Sequence, residues 1–177
     1  MITCLNCRSQ LSVTNFLLIV LSFCITPLVI AEEDQIFGAW SLICTDGGNK
    51  FPRYSTISQK VSTDPAGLKV VMGVSVHFPP DSQLAIMDIR ITPHAIIDAG
   101  IGFKVDQHDG FKLRIKECTK DICVASGRLK TAILEQLISG KMVQVGFFIR
   151  PKKQITAPIS LDGFNKAYIS LKNTQRN

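Results

Sequence analysis

The chain has 177 residues, 46% of them apolar and 19% charged, with a formal net charge of +6. That length supports one domain with a sizeable core, and the apolar content excludes a disordered chain. The modest cation excess permits attraction to anionic lipids, glycans or acidic proteins without demanding it, and its plain reading is a soluble basic surface.

The first element is a targeting segment. Arg8 precedes the apolar run Phe16–Ile30, and Val29-Ile30-Ala31 then leads into Glu32-Glu33-Asp34. A cation, an apolar run and a small residue in that order predict a secretory signal peptide over residues 1–31, with cleavage after Ala31 and a mature domain over 32–177. A retained membrane anchor is the alternative, but fifteen residues that include Pro27 are short for a span. Leu21-Ser22-Phe23-Cys24 raises a lipoprotein reading, against which bulky Phe23 stands where a small residue is needed. Cleavage removes Arg8 and leaves 19 Lys+Arg against 14 Asp+Glu, a net charge of +5. It also removes Cys4, Cys7 and Cys24, leaving Cys44, Cys118 and Cys123 in a compartment where disulfides persist.

Strand signals follow at regular spacing. Ile36–Thr45 reads as a first strand with Trp40, Leu42 and Cys44 on one face. Turns at Asp46–Asn49 and Asp64–Gly67 flank a weaker strand, Tyr54–Val61. The clearest alternation sets Leu68, Val70, Met72, Val74, Val76 and Phe78 against Lys69, Gly73, Ser75 and His77, and Pro79-Pro80 ends it. Leu84–Ile91 and Ala95–Val105 are shorter strands. Phe111, Leu113 and Ile115 alternate with Lys112, Arg114 and Lys116, so this strand carries an apolar face and a basic one. Thr131 is the expected cap of a short helix with Ile133, Leu134, Leu137 and Ile138 on its apolar stripe and Gly140 as its stop. Met142–Ile149 and Ile155–Leu161 form strands around the turn Pro151-Lys152-Lys153, and Phe164, Ala167, Tyr168 and Leu171 mark a terminal helix. About eight strands and two short helices predict a mainly β fold, a single antiparallel β-sandwich or barrel-like domain.

Little in the chain points to catalysis. His77 faces away from its strand's apolar side, and His94 and His108 fall in turns, with no pair at metal-ligand spacing. Ser126-Gly127 lacks a nucleophile elbow, and no phosphate loop or carboxylate pair is evident. The expectation is no enzyme, no metal and no cofactor. Cys118 and Cys123 are separated by four residues, which is not the redox spacing, and a structural disulfide between them is predicted. Cys44 is then a buried free thiol or an intermolecular partner, and its place beside Trp40 and Leu42 favours burial. Lys112, Arg114, Lys116, Lys152 and Lys153 form the candidate binding face for an acidic or anionic partner; the plainer reading is a solvated strand face. Export and the lack of aromatic interleaving argue against nucleic acid, and no small-molecule substrate is evident.

From Phe37 to Leu171 the chain resembles the invasion-associated locus B family of Gram-negative bacteria. The resemblance rests on Phe37-Gly38-Ala39-Trp40 followed by Cys44, on Gly73–Pro80, on Cys118-x4-Cys123-Val124-Ala125 and on Pro158-Ile159-Ser160-Leu161 before Gly163-Phe164. Two positions depart from the family pattern. Ser55 stands about where the family carries a second cysteine before a glutamine, here Gln59, so Cys44 loses its expected partner. Ile122 stands where the family tends to have glycine. The resemblance implies a protein of the periplasm or outer-membrane surface, or a secreted one. It also implies, in some members, a part in the invasion of host cells, notably erythrocytes. It implies no catalytic residues or cofactor. The leading expectation is an envelope protein that acts by binding; the alternative is a periplasmic envelope-stress or assembly factor with no host role.

Overall fold

The computed structural model describes residues 34–45, 54–62 and 70–175. The expected signal peptide and its expected cleavage site, the turns expected at Asp46–Asn49 and Asp64–Gly67, and Leu68 and Lys69 at the head of the alternating run lie outside these residues. Alternation drives the architecture, because period-two apolar patterning turns one face of each strand toward a shared core. Five strands follow one another as a meander: β1 (Gln35–Phe37), β2 (Trp40–Thr45), β3 (Tyr54–Ser62), β4 (Val70–His77) and β5 (Ile86–Ile91). The chain then builds β6 (Ile101–Val105) and β7 (Phe111–Leu113), crosses over to β8 (Ile115–Cys118) and β9 (Cys123–Arg128), and enters helix α1 (Thr131–Ser139). Strands β10 (Met142–Arg150) and β11 (Lys153–Ser160) and helix α2 (Phe164–Thr174) complete it.

The strands sort into two antiparallel sheets, one of seven strands in the order β1-β2-β3-β4-β5-β9-β8 and one of four in the order β11-β10-β6-β7. Neither closes into a barrel. Their inward residues make one core, with Trp40, Ile57, Met72, Val74 and Ile89 from the larger sheet and Ile101, Phe103, Val145, Phe147 and Ile159 from the smaller. Three strand readings are corrected. Ile36–Thr45 is two strands, because the chain turns at Gly38-Ala39 and Phe37 pairs back with Trp40. Ala95–Val105 is strand only from Ile101, since the N–H of Gly100 bonds the carbonyl of Ile97 and closes a 3-10 turn over Ile97–Ala99. Phe111–Lys116 is broken at Arg114, with β7 paired to β6 in one sheet and β8 paired to β9 in the other.

Helix α1 starts one residue earlier than its sequence suggests. Lys130 is the N-cap, with extended backbone and no side-chain cap bond, and Thr131 is already helical. Gly140 ends the helix as expected, its N–H bonding the carbonyl of Gln136. Helix α2 buries its whole predicted stripe, Phe164, Ala167, Tyr168 and Leu171. Its N-cap is Gly163 at φ 80°, where an added Cβ would stand 1.9 Å from the carbonyl oxygen of Phe37. Glycine is therefore required there on two counts, the left-handed backbone and the close approach of β1. The indole Nε1 of Trp40 donates to the carbonyl of Ser160 at 2.9 Å, and its ring meets Phe164 edge-on at 5.0 Å. Tyr168 continues the aromatic contact to Phe78, and burial pushes its phenol above the ordinary value of 10.0.

Candidate binding surface

Strand β7 is short and lies at an edge of the four-stranded sheet, held to β6 by the pairs Ile101–Leu113 and Phe103–Phe111. The rings of the second pair sit 4.8 Å apart. Phe111 and Leu113 turn inward, so Lys112 is exposed, and exposure alternates through the crossover to Arg114 and Lys116. The strand changes sheets between these cations, but the alternation survives because both sheets wrap the same core. Leu113 lies against Gly127 of β9, where a Cβ would stand 2.6 Å from its Cδ2. That close packing of β7 on β9 brings Arg128 and Lys130, both exposed, beside Lys112 and Leu113. Neither Arg128 nor Lys130 was legible as part of a basic face, since they sit in a strand end and a helix cap with no alternating partner. Among the described residues none of Lys112, Arg114, Lys116, Arg128 and Lys130 forms a salt bridge.

Lys152 and Lys153 stand elsewhere. They occupy the tip of the β10–β11 hairpin, with Lys153 paired to Arg150. Strand β11 is the opposite edge of the sheet from β7. Three strand spacings separate them, about 14 Å, beyond the ~8 Å screening length at physiological salt. The four lysines and one arginine of the expected face are thus divided between two places.

The outer face of the larger sheet is the second polar surface. Ser41, Ser58, Ser75, Asp88 and Ser126 lie in register across neighbouring strands. The Ser126 hydroxyl donates to Asp88 Oδ1 at 2.5 Å, His77 Nδ1 lies 3.5 Å from Asp88 Oδ2, and Arg90 donates to the Ser75 hydroxyl at 2.8 Å. The carboxylate stands between hydroxyl and imidazole. Activation of a serine requires the imidazole against the hydroxyl, so this trio is a polar clasp across β4, β5 and β9, not a nucleophile with its base. His94 and His108 lie in a turn and a bend and are not part of this trio.

At the end of the larger sheet Cys118 and Cys123 are joined by a disulfide across the β8–β9 turn. The Thr119 hydroxyl accepts from the N–H groups of Asp121 and Ile122 at 3.2 Å each and shapes that turn. Cys44 is a free thiol, half-buried, directly opposite Ser55 on β3, whose hydroxyl donates to its sulfur at 3.3 Å.

Residues 40–172 match the family described as Invasion associated locus B (IalB) protein. The chain belongs to the IalB family. The fold agrees with the crystal structure of invasion associated protein B from Bartonella henselae, with a TM-score of 0.70 over 82% of this chain and 99% of that one, at 16% identity. A comparison with curated protein sequences finds no match. Within the IalB family pattern the two departures now have structural meaning. Ser55 fills the cross-strand position directly opposite Cys44, about where the resemblance sets a second cysteine. Ile122 keeps out of the left-handed region and exposes its side chain, so this turn has no need of glycine. Among the described residues no helix is long and apolar enough to cross a membrane.

Proposed function

We propose that this IalB protein is exported to the bacterial envelope or beyond and works there by binding an acidic surface, in its leading role the surface of a host cell such as the erythrocyte. It does so without catalysis and without a cofactor. The observation that supports this reading is that Lys112, Arg128 and Lys130 line one cleft, that Arg114 and Lys116 are exposed on the run continuing from Lys112, and that among the described residues none of the five forms a salt bridge. Three of them come from one alternating run and two from a segment that the fold brings alongside. Like charges lining one cleft, as Lys112, Arg128 and Lys130 do, repel, and an anionic partner relieves that repulsion. The attraction weakens with salt, since the screening length falls from about 10 Å at 0.1 M to about 3 Å at 1 M.

The test changes Lys112, Arg114 and Lys116 together to Gln and measures association of the purified mature protein with host membranes and with bacterial envelope fractions, side by side. Loss of host-membrane association at unchanged thermal stability is the expected outcome. Association confined to the envelope fraction would move the protein to the periplasmic assembly role, and association unchanged in both would leave this face a solvated surface.

A further inference from the structure

A slot of about 290 Å³ opens where β7 packs on β9 and the first turn of α1. Its walls are Met87, Phe111, Leu113, Leu129 and Ile133, and its polar side chains are Lys112, Arg128 and Lys130 alone. Met87 and Leu129 belong to the core, while Phe111, Leu113 and Ile133 are half-buried and leave apolar surface open to an occupant. No hydroxyl, amide or carboxylate side chain lines the slot. The N–H of Leu129 is already bonded to the carbonyl of Ala85, and Lys130 caps α1 without a side-chain bond. The volume is that of roughly ten water molecules, at the small end of ligand pockets, which suits one narrow chain better than a folded ligand.

From this lining we infer that the slot takes a single-chain anionic lipid, its acyl chain along the apolar walls and its carboxylate or phosphate head among Lys112, Arg128 and Lys130. The inference rests on the reading of this basic face as a binding surface and gives its partner a chemical class. Charge complementarity decides the head: three cations and no anion line the slot, so a negative group gains there and a positive one is repelled. The missing neutral donors and acceptors decide the body. A peptide seated there would lose water from its amides and find no side-chain amide, hydroxyl or carboxylate in return, a cost an acyl chain does not carry.

The experiment uses purified mature protein and dodecanoate below its micelle concentration, with butyrate, dodecanol and an acidic peptide carrying one leucine as comparisons, followed by amide chemical shifts and titration calorimetry. Dodecanoate is expected to bind saturably and to move the amides of Leu113, Gly127 and Ile133, while butyrate leaves them in place. Changing Arg128 and Lys130 together to Gln should weaken dodecanoate about tenfold and leave dodecanol unaffected, and Ile133→Trp should fill the slot and abolish binding. Unmoved slot amides, equal binding by Ile133→Trp, or occupation by the peptide in place of dodecanoate would each overturn the proposal. If Ile133→Trp disturbs the fold, the amide shifts and the Arg128, Lys130 pair decide. The arms also separate the two readings. Envelope or host-membrane association that survives without dodecanoate binding sinks the slot alone. Dodecanoate binding that survives beside unchanged association of the Lys112, Arg114, Lys116 variant sinks the surface reading alone.

Discussion

Cys44 shows how one atom changes what a strand pair does. Its sulfur accepts the Ser55 hydroxyl across the β2–β3 ladder, about where the resemblance to the IalB family sets a second cysteine. Directly opposed residues of an antiparallel pair have Cα atoms about 4.5–5.5 Å apart, inside the range a disulfide spans. Ser55→Cys should therefore form a bridge to Cys44 under mild oxidation, with no free thiol left in residues 32–177. The bridge closes a loop of about twelve residues and should stabilise by about 3 kcal/mol in the chain-entropy model. Thiol titration and peptide mapping check this, and two titratable thiols remaining after oxidation would show that the pair is misaligned. With serine at 55, Cys44 stays a thiol, half-buried and not fully enclosed, because it lies near the end of its strand.

At the scale of elements, a side chain completes a connection that backbone pairing leaves open. Strands β3 and β11 belong to different sheets, yet Gln59 on β3 treats Ser160 on β11 as a strand neighbour. Its Nε2 donates to the Ser160 carbonyl at 2.9 Å and its Oε1 accepts from the Ser160 N–H at 3.0 Å. The same carbonyl takes the Trp40 indole, so β2, β3 and β11 meet at one peptide group just before α2 begins. Gln59 is 8% exposed, too little for water to replace those bonds. Gln59→Leu keeps the bulk and strands the Ser160 N–H, and should cost about 1–3 kcal/mol. Urea unfolding of the variant measures it; an unchanged midpoint would mean that the two sheets are held by packing alone. The Cys118–Cys123 bridge acts more locally, since it closes a five-residue separation at one sheet end and contributes about 2 kcal/mol.

For the molecule as a whole, both sheets and α2 share one core, so no part has an apolar interior of its own. Trp40, the single tryptophan, is fully buried where β2, β11 and α2 meet. Its fluorescence should then report the loss of the whole fold. In urea the Trp40 transition and the far-UV circular dichroism transition are expected to coincide, as for a two-state domain. Separate midpoints would show that the smaller sheet unfolds apart from the larger.

The chain's own pattern determined the strand-rich class, the two helices, their apolar stripes and the disulfide. Each of these rests on near neighbours. Val74 and Val76 share a face because period two places them there, Phe164 and Leu171 align because 3.6 residues make a turn, and Cys118 needs only a tight turn to reach Cys123. Only the tertiary structure decided which strands share a sheet. Phe111–Lys116 reads as one strand because exposure alternates through Arg114 whether or not the hydrogen-bond partner changes. Period two records which side faces the core and carries no mark of the neighbour. The binding face follows the same rule. Lys112 and Lys153 look like one basic surface in the sequence but lie on opposite edges of a sheet, while Arg128 and Lys130 join Lys112 because Gly127 lets Leu113 lie against β9. Side-chain charge is written residue by residue, but proximity between distant segments arises only when a common core pulls them together.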